Sequence, residues 1–116
     1  MTQLDALLRT LTIEAVVGLL ALAVLARTQL RDAGWRAPAV LMAASLLTHP
    51  FAWWGNRALL GVIELWPRYA IVELCVVAIE TIVLQVALRI GWPIAAATSL
   101  LMNAASFGFG LRWMWR

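Results

Sequence analysis

The chain has 116 residues, of which 64% are hydrophobic and only 13% charged, with a mean hydropathy of +0.88. A soluble domain is nearer half apolar and a quarter charged, so this composition excludes an ordinary soluble enzyme, a disordered tail and a disulfide-stapled secreted module. The net charge of +3 rests on nine basic residues, all arginine. They gather at the ends of apolar runs and form no basic stripe, which argues for heads among lipid phosphates and against nucleic acid as a partner.

Four runs approach the roughly 20 residues needed to cross the hydrocarbon of a bilayer. The first, 7–26, ends at Arg27, Arg31, Asp32 and Gly34. Ala21, Ala23 and Ala26 resemble a cleavage site, but Asp5 ahead of the run and Glu14 inside it argue for a retained helix. The second, 37–54, opens with Pro38 and closes on Trp53, Trp54, Gly55, Asn56 and Arg57. Residues 56–66 are apolar in part but too short to span, and read as a short interfacial helix or a re-entrant turn. The third run, 69–90, follows Trp66, Pro67 and Arg68; the fourth, 93–113, follows Gly91 and Trp92. Tryptophan at nearly every boundary is the interfacial belt of a membrane protein. The expected fold is all-α and polytopic, a single four-helix transmembrane domain over 1–116. Both termini and the 55–68 loop then share one side, here side A. Five arginines on side A against four on side B leave the orientation undecided.

The two hairpins resemble each other. Gly34-Trp35-Arg36-Ala37-Pro38 compares with Gly91-Trp92-Pro93, and Ala44-Ser45-Leu46-Leu47-Thr48-His49 with Thr98-Ser99-Leu100-Leu101-Met102-Asn103. A true duplication would make His49 and Asn103 equivalent, with a pseudo-twofold axis along the membrane normal.

Ionisable residues inside a span are functional candidates by default, because lipid penalises them. Glu14, His49, Glu73 and Glu80 are of this kind. Glu73 and Glu80 are two helical turns apart and share a face. Ser99, Asn103, Ser106 and Gly110 form one stripe, and Thr10, Glu14, Val17, Gly18 and Ala21 another. At 1.5 Å per residue, His49, Glu73, Glu14 and Ser106 lie ~6–10 Å from side A, with Glu80 and Asn103 at ~15 Å. Polar groups of all four helices can therefore meet in a pocket opening to side A, with Glu80 and Asn103 as its floor. The plainer reading of Ser99, Asn103 and Ser106 is interhelical glue, and of Gly18, Gly108, Gly110 and Ala104 close packing.

Carboxylates with one imidazole and amide or hydroxyl oxygens suit protons or a divalent cation. His49, Glu73 and Glu80 are the metal candidates, although no HExxH, CxxC or paired-histidine pattern is present. No spacing of nucleophile and base points to catalysis. Cys75 reads as an inert buried thiol. His49, before Pro50, could be a kink partner, a proton acceptor or an axial ligand to haem or a pigment.

Thr48-His49-Pro50, Glu73-x-x-Val76-x-x-x-Glu80 and Ser99-x-x-x-Asn103-x-x-Ser106-x-x-x-Gly110 resemble the pattern of an uncharacterised family of small four-span bacterial membrane proteins. The resemblance covers about half the chain; it implies a bacterial integral membrane protein and carries no activity with it. The expected function is binding or passage of a proton or small cation in the inner membrane, by Glu80, Glu73, His49, Asn103, Glu14 and Ser106, in a homo-oligomer or with a membrane partner. Two other readings stay open: an accessory subunit of a larger membrane complex, and a haem or pigment protein built on His49.

Overall fold

The computed structural model describes residues 2–114. Among them it contains five α-helices: α1 (Gln3–Leu25), α2 (Arg27–Ala33), α3 (Arg36–Ala58), α4 (Leu65–Leu88) and α5 (Trp92–Met114). α1, α4 and α5 are long and apolar enough to cross a membrane. α3 matches α1 in length, at 23 residues, but Thr48, His49, Pro50 and Asn56 dilute its apolar run. The expectation of four apolar spans is thus met by three helices, with α3 falling short in composition rather than length.

Local chemistry sets the helix ends. Thr2 and Asp5 form a reciprocal capping box on α1, with the Asp5 N–H donating to Thr2 Oγ1 at 3.1 Å. Pro38, Pro67 and Pro93 each sit in the first turn of α3, α4 and α5, where a missing N–H leaves no bond unmade. α4 therefore starts at Leu65 rather than Tyr69, taking Trp66, Pro67 and Arg68 into its first turn.

Two linkers depart from the sequence expectation. The turn expected after the first span is largely α2: Ala33 is buried and Leu30 packs on the core, which holds two turns of helix until Gly34 ends them at φ +56°. The 56–66 stretch does not form a separate helix. Residues 56–58 finish α3, and 59–64 form a turn with Gly61 at φ +82°.

The four long helices close a ring in the order α1, α3, α4, α5. Neighbours run antiparallel: Glu14 meets Ser45 and Ser106, whereas Gly18, one turn on, meets Leu41 and Met102. The same reversal relates α3 to α4, where Thr48 meets Glu80 and Gly55 meets Val72. This is the up-down-up-down bundle that short connections favour. The end holding α2 and the α4–α5 turn is packed with apolar side chains, among them Leu22, Leu41, Leu84, Leu88, Ala95 and Met102. The polar residues lie towards the other end.

Candidate functional site

The buried polar residues centre on two carboxylates carried by diagonally opposed helices. Glu14 of α1 is 2% exposed and Glu80 of α4 is 0% exposed. Each accepts hydrogen bonds from both flanking helices. Glu14 accepts from Ser45 Oγ on α3 and from Ser106 Oγ on α5 at 2.9 Å. Glu80 Oε1 accepts from Thr48 Oγ1 on α3 at 2.7 Å, and Oε2 from Asn103 Nδ2 at 2.8 Å and Ser99 Oγ at 3.3 Å on α5. All five of these donors are neutral. Glu14, Glu73 and Glu80 also lie within electrostatic reach of one another. Three such carboxylates repel one another when ionised together.

The hydroxyls have a second place to donate. Thr48 Oγ1 is 3.0 Å from the Ala44 carbonyl, Ser99 Oγ is 3.2 Å from that of Val77, and Ser106 Oγ is 3.2 Å from that of Asn103. A hydroxyl carries one proton and can also accept. Facing a carboxylate it donates to the carboxylate; facing a carboxylic acid it can accept from the acid and donate to a backbone carbonyl, that of its own helix for Thr48 and Ser106 and that of α4 for Ser99. Both protonation states of Glu14 and Glu80 are thus served without displacing a helix. Asn103 has no such latitude, since its two amide protons go to Glu80 Oε2 and, at 2.9 Å, to the Ser99 carbonyl.

Above this layer is a cavity of about 410 Å³, at the end where α1 and α4 begin and α3 and α5 finish. Glu14, His49, Glu73, Asn103 and Ser106 line it, so five of the six residues singled out in the sequence share one space. Glu80 is not in the lining. It lies behind the floor, linked to the cavity by Thr48 and Asn103, which line it and donate to the carboxylate.

Some expectations change. Among the described residues no three His, Cys, Asp or Glu side chains converge on a metal site, so His49, Glu73 and Glu80 do not form one together. His49 is half-buried, and its Nε2 is buried with no partner. Only Asn103 of the pair His49 and Asn103 reaches a carboxylate. A Cβ on Gly18 would come within 2.9 Å of Leu41 and Met102, a true close-packing position, whereas Gly108 and Gly110 face open space. Cys75 is exposed on the outside of the bundle rather than buried.

Sequence reasoning passed over Ser45 and Thr48 as ligands of the two glutamates, and it misjudged Arg68. Placed in the first turn of α4, Arg68 turns inward and is 8% exposed. It heads a buried stripe at four-residue spacing, Arg68, Val72, Val76, Glu80, Leu84 and Leu88, which was readable once the helix is begun at Leu65. Its guanidinium lies 5.6 Å from the Tyr69 ring centroid, and its Nε is buried without a hydrogen-bond partner.

A second hollow of about 420 Å³ lies along the α4–α5 seam, walled by apolar side chains including Trp66, Leu74 and Leu100. Tyr69, Glu73, Asn103 and Phe107 line both spaces, so these four side chains form the partition between them. Tyr69 and Phe107 meet edge to face, with centroids 5.9 Å apart. Comparison of the chain with family models, curated proteins and solved structures finds no match.

Proposed function

We propose that the chain is a four-span protein of the bacterial inner membrane that takes up protons from one side, on Glu14 and Glu80, through the half-membrane cavity. The observation that carries this reading is the pair of buried carboxylates held only by neutral donors, most of which have an alternative backbone acceptor. Such a site accommodates the charged and the protonated group alike. A small cation is served less well. The amide of Asn103 is wedged between two acceptors, and turning it over would set its oxygen against both, so a donor rather than a cation ligand faces Glu80.

α3 is the fourth span on this reading, its polar side chains sheltered between α1 and α4. The hairpins α1–α3 and α4–α5 are copies of one unit, each setting a glutamate on its first helix against a serine on its second, Glu14 with Ser45 and Glu80 with Ser99. The apolar end closes the cavity opposite its mouth, so a single bundle binds protons, and passage needs that end to open within an oligomer or larger complex.

The test is infrared difference spectroscopy of the protein in liposomes on acidification, combined with proton flux under a pH gradient. A protonated-carboxyl band that appears in the wild type, weakens in Glu80→Gln and disappears when Glu14→Gln is added, with any wild-type flux lost in Glu80→Gln, is the expected result. A wild type without that band, or one unchanged in Glu80→Gln, refutes the assignment.

A further inference from the structure

The glutamates leave the mouth of the cavity unexplained. Arg68, nine-tenths buried, turns into it with Nε unpartnered. Arg57 lines the same mouth, its guanidinium 5.9 Å from the Trp54 ring centroid. An arginine serving only to reach lipid phosphates extends its head into the interface. Arg68 does the reverse, and a buried guanidinium short of partners is a ready site for an anion, which it can grip through several N–H groups at once. The acidic side chains are deeper, with Glu73 ~7 Å further along α4. An anion is therefore held at the mouth and repelled from the floor.

The partition says where the rest of the ligand goes. Tyr69 and Phe107 separate this mouth from the apolar seam between α4 and α5, and Ala70 and Ala104 leave that seam shallow-walled. A chamber with a basic mouth beside a mostly apolar groove suits a molecule with an anionic head and a hydrocarbon chain. We propose that the cavity mouth binds the anionic headgroup of a membrane amphiphile, held by Arg68 and Arg57, with its hydrocarbon chain in the α4–α5 groove. This rests on the membrane reading above but not on proton uptake.

Native mass spectrometry of the full chain in neutral detergent tests it, with phosphatidylglycerol as the anionic probe, phosphatidylcholine as the neutral one and inorganic phosphate as competitor. Phosphatidylglycerol should be retained roughly tenfold better than phosphatidylcholine, as expected for a charge-assisted contact. Arg68→Gln should remove that preference, Arg68→Lys should keep part of it, and Arg112→Gln, altering an exposed arginine of α5 outside the cavity, should keep all of it. Ala104→Trp fills the exposed seam without entering the core and should weaken lipid retention severalfold, so the proposal stays testable even where Arg68→Gln fails to fold. Equal retention of the two lipids, an Arg68→Lys or Arg68→Gln protein identical to wild type, or an Ala104→Trp protein with full retention overturns it. Displacement of the lipid by inorganic phosphate overturns it too, in favour of a soluble anion. Glu80→Gln should leave phosphatidylglycerol retention unchanged, so failure of the proton reading and failure of this one show up in different experiments.

Discussion

At the scale of single residues, the bundle relies on groups that lipid-facing helices normally avoid. Thr48 Oγ1 supplies the shortest of the hydrogen bonds to Glu80, at 2.7 Å. Hydrogen bonds between helices in a membrane contribute about 1 kcal/mol each, because the separated helices also find partners. Thr48→Val keeps the shape and removes the donor, so it should lower stability by about 1 kcal/mol, measured by unfolding in mixed detergent. In a Glu80→Leu background the same substitution should cost far less, because the acceptor is already gone, and equal cost in both backgrounds would show that Thr48 acts through packing alone. Gly18 is a case of space rather than polarity. A methyl there meets the mobile ends of Leu41 and Met102 at 2.9 Å, so Gly18→Ala should be tolerated with a loss of about 1 kcal/mol or less. Gly18→Ile pushes a branched side chain into the same contact and should cost about 1–3 kcal/mol or more, read in the same unfolding assay.

At the scale of elements, α3 is the helix on which the number of spans turns. Its polar residues are assets inside the ring and liabilities in lipid, so it should enter a membrane poorly by itself and well beside α1 and α4. In a glycosylation-based insertion assay, α4 alone should insert efficiently and α3 alone several-fold less. His49→Leu with Pro50→Leu should bring α3 close to α4, since leucine favours insertion by about 0.3–0.6 kcal/mol where the polar residue opposed it. Efficient insertion of unmodified α3 would mean that its polar residues need no shelter. Which faces of the helices turn inward was legible in the sequence, because the 3.6-residue period places Ser99, Asn103 and Ser106 on one stripe and Glu73 with Glu80 on another. Where helices start was not. Pro67 looks like a boundary, yet proline is at home in a first turn, and the four residues added to α4 by that fact turn Arg68 from a headgroup anchor into a cavity residue. α2 was equally hidden, since seven residues become helix there only because Leu30 and Ala33 find the core to dock on.

At the scale of the whole molecule, polarity is graded along the bundle axis: basic at the mouth, acidic below it, and apolar from Leu84 onward. Glu80 and Leu84 are one turn apart on the same buried stripe, so the boundary between polar and apolar interior falls between two successive positions of that stripe. Composition could announce a membrane protein but not this gradient, which depends on α1 and α4 being diagonal partners that present their glutamates to the same two neighbours. If the apolar end is what keeps a bundle from leaking, extending the polar column by one turn should open it. Leu84 is fully buried, and Leu84→Ser replaces it with a hydroxyl and a void large enough to admit water beside Glu80. The protein should lose about 2–5 kcal/mol of stability from the lost side chain, and in liposomes under a pH gradient its proton leak should rise at least several-fold over wild type. The leak should fall back when Glu80→Gln is added, because the hydroxyl then adjoins no proton-exchanging group. A leak that persists in the double variant would mean that water alone crosses a loosened bundle, and a Leu84→Ser protein as tight as wild type would place the barrier further along, at Leu22, Leu88 and Ala95.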